Sequence, residues 1–186
     1  MPTKRKVNLG PSAGPANRAA LIAAAREVFA ESGFMAPLSA VARRAQVGQG
    51  SLYRHFPDRI ALAVAVFDDN ITALETLAEL SDSTLVDLFD SVAQQVIAST
   101  ALIDMIISER DQRAEHLATR MTAVAAALLA RDQDQGRIAA TVEPADVMLA
   151  IGMLASLLSR TPVAERMESA TRARAIFRAA FVPRAP

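Results

Sequence analysis

Apolar residues in this 186-residue chain recur three or four positions apart along most of its length, and nowhere do they alternate with polar ones over a useful run. That spacing closes onto one face of a helix, whereas a half-buried strand needs a period of two. The chain is therefore confined to helices packed on helices. A content of 52% apolar residues, rich in alanine, with one Tyr and no Trp, suits close helix packing. The first stripe is Leu21, Ile22, Ala25, Val28 and Phe29, with Arg18, Glu27 and Glu31 off it. Gly33 then suits a left-handed cap, and Phe34 the apolar contact that follows such a cap.

The spacing next predicts a short helix over 38–45 with Val41, Ala42 and Ala45 facing inward, a break at 46–48, and a second short helix over 49–55. Leu52 and Phe56 are its inward residues. Pro57 and Asp58 restart the chain, and Asp58 is a good N-cap for a long helix reaching about residue 80. Further helices are expected over 84–100, 102–116, 117–134, 144–160 and 164–182, with breaks at SDS, QDQGR and RTPV. Residues 1–15, rich in Pro, Gly, Ser and Lys and without periodicity, read as a flexible basic arm. Residues 16–62 would form a small basic domain and residues 63–186 a larger helical one. Their division falls inside the long helix, so no linker is expected.

Several classes of protein are excluded. No window approaches the ~18 uncharged apolar residues of a membrane span, and the basic N-terminus has no apolar segment for a secretory signal. The absence of cysteine removes disulfides, thiol catalysis and Cys-rich zinc sites. A cytoplasmic protein without a membrane partner is expected. The formal net charge is zero, yet residues 1–60 hold nine Lys/Arg against three acidic residues, a net of +6. Residues 61–186 hold eleven Arg against 17 acidic residues, a net of −6. Such asymmetry suits either a polyanion bound by the first segment or a solvated basic face with a disordered tail.

Two short helices joined by a tight turn and braced by a longer one describe a helix-turn-helix, whose second helix enters the DNA major groove by its N-terminal end. In that frame Gly50 is informative. A glycine inside a helix costs about 1 kcal/mol relative to Ala, a loss that makes sense where the missing side chain lets a base edge approach. Gln49 can pair with adenine, and the Ser51 hydroxyl is adaptable. The plainer reading is that Gly48 and Gly50 only shape the turn. Arg59, a cation in the first turn of a helix, opposes the helix dipole unless an anion sits there, which points to a phosphate site. Tyr53 and His55, two residues apart, can both reach phosphates, and Arg44 and Arg54 add to the basic face.

The run LSAVARRAQVGQGSLYRHFPDR, above all LYRHFPDR, resembles the DNA-binding signature of the TetR family of transcriptional regulators. The resemblance covers residues 17–67; beyond them the chain matches only in being helical and of suitable length. It implies an all-α fold in which a three-helix helix-turn-helix domain joins a larger helical ligand-binding and dimerisation domain. It also implies a homodimer on a palindromic double-stranded operator, usually a repressor, released by a small ligand held in the C-terminal part; an apolar ligand is expected here. By position, Gln49, Gly50, Ser51 and Tyr53 would face bases. Tyr53, His55 and Arg59 would face phosphates, with Ser39 coming from the preceding helix. Three departures stand out. Gln46 occupies a position where the family commonly has Gly, which predicts a strained or differently bent turn. Arg59 replaces a more usual Lys, and Pro37-Leu38-Ser39 differs from the usual Thr/Ser-rich start.

In the C-terminal part Val147, Ile151, Leu154 and Leu158 share one stripe, with Ala155 and other small residues nearby, and the last helix adds Ile176, Phe177 and Phe181. Small residues let helices approach closely. The stripe is either an intramolecular core or, as the resemblance implies for the final two helices, a four-helix interface with a second copy. A ligand pocket lined by Leu102, Met105, Ile106, Leu117, Met121, Val124 and Leu128 is expected mostly on the resemblance, with Glu109 and His116 among the polar groups. Methionine at helical spacing is also ordinary core filling. Glu109, Asp111, Glu115 and His116 come nearest to a metal set, but the interleaved Arg110 and Arg113 favour a salt-bridged surface, so neither metal nor cofactor is expected. Two histidines without an evident partner, no cysteine and no Gly-rich phosphate loop leave little for catalysis. An enzyme is therefore the weakest reading, while a regulator without a small-molecule effector stays open.

Overall fold

The computed structural model describes residues 14–96 and 115–183, and among them every regular element is a helix. The order is α1 (Gly14–Ser32), α2 (Leu38–Arg44), α3 (Gln49–His55) and α4 (Arg59–Glu79). Then come α5, residues 85–96, α6 (Glu115–Asp134), α7 (Pro144–Arg160), a 3₁₀ turn at Val163–Glu165, and α8 (Arg166–Phe181). The fold is all-α, as the spacing predicts. One expected break is absent: α6 runs through His116 and Leu117 without interruption, since nothing in that stretch stops a helix. The rest of the helix expected over 102–116, the end of that over 84–100, and residues 1–13 of the expected arm lie outside the described residues. Gly14 and Pro15 already belong to α1.

Three helix ends have a clear local cause. Gly33 takes φ 78°, its N–H donates to the Phe29 carbonyl at 3.0 Å, and the Phe34 ring returns onto Phe29 with centroids 5.5 Å apart. Asp58 caps α4 by accepting from the Ala61 N–H at 2.7 Å. Thr84 and Asp87 cap α5 reciprocally, the Asp87 carboxylate accepting from the Thr84 N–H at 2.8 Å and the Thr84 hydroxyl from the Asp87 N–H at 3.3 Å. The Gly33 cap satisfies a carbonyl and the two side-chain caps satisfy N–H groups that a helix leaves open, each side-chain cap contributing about 1 kcal/mol.

Two apolar cores result. The first gathers Leu21, Val28 and Phe29 of α1, Val41 of α2, Leu52 of α3, Phe56, and Leu62 and Val66 of α4. The second joins Leu74 of α4 to Leu88 and Phe89 of α5, Leu128 of α6, Leu154 and Leu158 of α7, and Phe177 of α8. The first core thus reaches Val66, and the division expected at 62–63 falls inside it. Arg120 of α6 fastens that helix to α4 through Glu75, by Nε at 2.7 Å and Nη2 at 2.6 Å, and through Asp68. The same guanidinium holds the Glu75 carboxyl below its ordinary range.

The turn between α2 and α3 is tight. Gln46 adopts φ 55°, among the described residues the one non-glycine with positive φ, and the Val47 N–H closes back onto the Ala42 carbonyl at 2.9 Å. A side chain in that region costs about 1–2 kcal/mol, which glycine avoids. Gln46→Gly is therefore expected to stabilise the protein by about 0.5–1 kcal/mol, after glycine's extra unfolded-state entropy is subtracted. A higher urea midpoint at unchanged m-value would confirm it; an equal or lower midpoint would count against strain in this turn.

Candidate nucleic-acid interface

A seven-residue helix does not hold its shape alone. In α3 only Leu52 is buried, and Val47 and Phe56 at its two ends enter the same core. Those three anchors set the helix on the domain and leave its other side chains outward. Gln49, Gly50, Tyr53 and Arg54 are exposed, and Ser51 and His55 half-buried. Arg54 donates to the Ser51 hydroxyl at 3.1 Å, which orients both at the helix surface.

Gly48 has an ordinary extended backbone at φ −67°, so the turn does not demand it; the left-handed residue is Gln46. A Cβ added at Gly48 or at Gly50 would meet nothing within 4 Å. Neither backbone geometry nor packing inside the chain explains them, and the space above Gly50 opens outward.

Two residues expected to touch DNA are otherwise engaged, and a third turns a ring nitrogen inward. Arg59 turns inward: its Nη1 donates to the Phe34 and Ala36 carbonyls, the latter at 2.6 Å, and its guanidinium lies over the Phe34 ring at 5.3 Å. It ties α4 to the α1–α2 connection, and the Asp58 carboxylate, not an external anion, caps the helix beside it. Arg44 is bound by Glu27 at 2.8 Å and by both oxygens of Glu31 at 2.7 and 3.0 Å, so its charge is largely spent within the domain. The Nε2 of His55 is buried without a partner in the protein and so faces away from solvent. Ser39 is half-buried on α2. One turn further, Arg43 is exposed and makes no ion pair among the described residues. The sequence reading passed over Arg43, although its spacing of four from Ser39 puts the two on one helix face.

The C-terminal expectations fare unevenly. Val147, Ile151, Leu154, Ala155, Leu158 and Phe177 are all buried in the second core, so they are not a surface for a second copy, and Phe181 packs at its edge. Ile176 alone of that set is exposed. The outward apolar face instead carries Leu149, Met153 and Leu157 of α7, with Met167 and Ile176 of α8. Leu102, Met105, Ile106 and Glu109 lie outside the described residues. Leu117, Val124 and Leu128 are buried, the latter two as filled core, and His116 sits exposed, 3.4 Å from Asp68. Met121, however, lines an apolar cavity of about 160 Å³ with Ile71, Leu74, Val92 and Ile151, where Asn70 and Gln95 add the polar groups.

This geometry can be set beside known proteins. Residues 21–66 match the family of bacterial regulatory proteins described as the tetR family. The N-terminal domain is a TetR-family domain. No curated protein matches the sequence. Among solved structures, a TetR transcriptional regulator from Streptomyces coelicolor is 25% identical, with a TM-score of 0.68 over 90% of this chain and 99% of that one. A TetR transcription regulatory protein from Mycobacterium vanbaalenii gives 22% and 0.60 over 92% and 98%. A gamma-butyrolactone receptor described as ArpA-like gives 22% and 0.58 over 91% and 90%. The TetR-type fold therefore extends through the C-terminal helices, whose sequence carries no such signature.

The clamp on Arg44 has a pH signature. Arg44 beside Glu31 holds that carboxyl below its ordinary value of 4.5. A carboxylate depressed in the folded state adds stability that is complete above the unfolded value and is lost as pH falls through the folded one. Wild type is expected to lose more stability than Glu31→Gln between about pH 5 and pH 3, read as urea midpoints at each pH; parallel curves would show the pair contributes nothing.

Proposed function

We propose that this TetR-type protein is a homodimeric repressor that reads a palindromic DNA operator with α3 and is released by a small apolar ligand. The observation that carries the DNA-binding part is the outward row Gln49, Gly50, Ser51, Tyr53 and Arg54 on a helix fixed from beneath by Leu52. Gln49 offers both donor and acceptor to a base edge, Gly50 leaves room for that edge, and Tyr53 and Arg54 reach further along the groove. Arg43 supplies a phosphate contact from α2, the role first expected of Arg59.

The exposed stripe Leu149, Met153 and Leu157 recurs every four residues on α7, and Gly152 beside it allows close approach. A contiguous apolar face of this kind marks an interaction surface, and a second copy placed there gives the two reading helices that a twofold operator requires. The cavity beside Met121 supports the ligand. Apolar cavities of about 150 Å³ take up molecules the size of benzene, and one protein of the same fold is described as a gamma-butyrolactone receptor. Asn70 lines this cavity while its side-chain oxygen accepts from Arg26 of α1 at 3.0 Å. A ligand that shifts Asn70 therefore acts directly on the DNA-binding domain.

Selection from random duplexes is expected to return an inverted repeat. Against that operator Gln49→Ala should relax one half-site position and cost about tenfold or more per half-site, since a bidentate base contact is worth about 1–3 kcal/mol. Arg43→Ala should weaken all duplexes alike and flatten the salt dependence. Arg59→Ala should lower the melting temperature instead. Recovery of no repeated motif would refute operator reading.

Leu157→Glu is expected to yield monomers by sedimentation at micromolar concentration with unchanged helix content, and to lose operator affinity. A dimer that survives both this change and Ile176→Glu would place the interface elsewhere.

A further inference from the structure

We propose a second small-molecule site, at the end of the helical domain remote from α3, that takes a singly charged carboxylate with an apolar body. A cleft of about 370 Å³ lies there between the start of α5, the connection after α6 and the end of α8. That volume falls within the usual range of small-ligand sites, about 300–1,000 Å³. It shares no lining residue with the cavity beside Met121. α4 separates it from α3 by a rod about 30 Å long, at 1.5 Å per residue.

The cleft is held open by polar ties behind it. Asp132, almost fully buried, accepts from the Leu85 N–H at 3.0 Å and from Arg137 by Nε at 3.0 Å and Nη2 at 2.5 Å. The Ala139 N–H donates to the Phe181 carbonyl at 2.8 Å, fixing the connection to the end of α8. On this frame Leu85, Val86, Phe89, Ile138 and Phe181 form an apolar wall.

Charge at the cleft selects the ligand. Three guanidiniums line it: Arg137, Arg174 and Arg178. The first is matched by Asp132. Arg174 donates through Nη1 to both oxygens of Asp90 at 2.6 Å, and its Nε and Nη2 make no hydrogen bond among the described residues. Arg178 is exposed and makes no side-chain hydrogen bond or ion pair among the described residues. Three cations against two carboxylates leave one positive charge beside an apolar wall. A carboxylate forks onto Arg178 and the spare donors of Arg174, while its chain or ring covers the phenylalanines. A cation is repelled, and a neutral alcohol gains only the apolar part.

Decanoate, decan-1-ol and decyltrimethylammonium, each below its micelle concentration, test this on the full chain by calorimetry and by NMR. Decanoate is expected to bind at least about tenfold tighter than decanol, the ammonium not at all, and decanoate protons to show contacts with the Phe89 and Phe181 rings. Arg178→Gln, at an exposed position without a partner, should abolish the advantage over decanol without lowering the melting temperature. Val86→Trp should block decanoate and decanol alike, with loss of the contacts to both rings. Equal binding of decanoate and decanol, unchanged selectivity in Arg178→Gln, or contacts with Met121 and Ile151 instead would each overturn the proposal. None of these outcomes bears on operator binding, which a separate gel-shift assay reads.

Discussion

The long helix α4 belongs to two cores at once, and the rest of the structure depends on that. Its first half contributes Leu62 and Val66 to the DNA-binding domain and its second half Leu74 to the C-terminal helices. With neither Pro nor Gly in its interior, it has none of the usual places to kink, so the two cores cannot reorient without moving it. Between them sits Asn70, buried and polar. A buried amide is tolerable only when bonded, and its partner is Arg26 of α1, which also holds Asp69 at 2.6 Å. The junction is thus polar where both neighbouring cores are apolar.

Around α3 the division of labour is plain. Hydrophobic burial does the holding, through Val47, Leu52 and Phe56, and leaves the hydrogen-bonding groups turned outward. Had α3 been longer, propensity could have stabilised it and its face would need fewer anchors. Being two turns long, it is positioned almost entirely from beneath. Its outward residues can then vary without unfolding the domain, and this permits one fold to serve many operators.

Much of this was legible in the residues. The period of the apolar positions determined the fold class, and Gly33 and Asp58 marked helix ends because a cap leaves a local chemical trace. Gln46 was legible as strain only against the family pattern, which commonly has Gly at that position. The faces of α7 were not. That helix carries Val147, Ile151, Leu154 and Leu158 inward and Leu149, Met153 and Leu157 outward, so it is apolar nearly all round. Periodicity detects a stripe but cannot say which of two stripes meets the chain's own core, and the stripe expected to meet a second copy is the one buried there. Arg59 failed differently. Its place beside a helix start suggested an anion, but its length allowed it to reach the Phe34 and Ala36 carbonyls 25 and 23 residues earlier, a long-range contact with no local mark.

The same point corrects the simplest electrostatic argument. A net charge of +6 over residues 1–60 suggests a broadly adhesive surface, yet the described arginines of that segment are unevenly available. Arg26 is taken by Asp69 and Asn70, Arg44 by Glu27 and Glu31, Arg59 by two carbonyls, and Arg18 lies over the Phe56 ring. What remains beside α3 is Arg43 and Arg54. Counterion release scales with the phosphates actually neutralised, not with formal charge, so a domain of this kind gains less from non-specific attraction than its composition implies. An interface built on α3 would then rest more heavily on the neutral groups Gln49, Ser51 and Tyr53 than on charge.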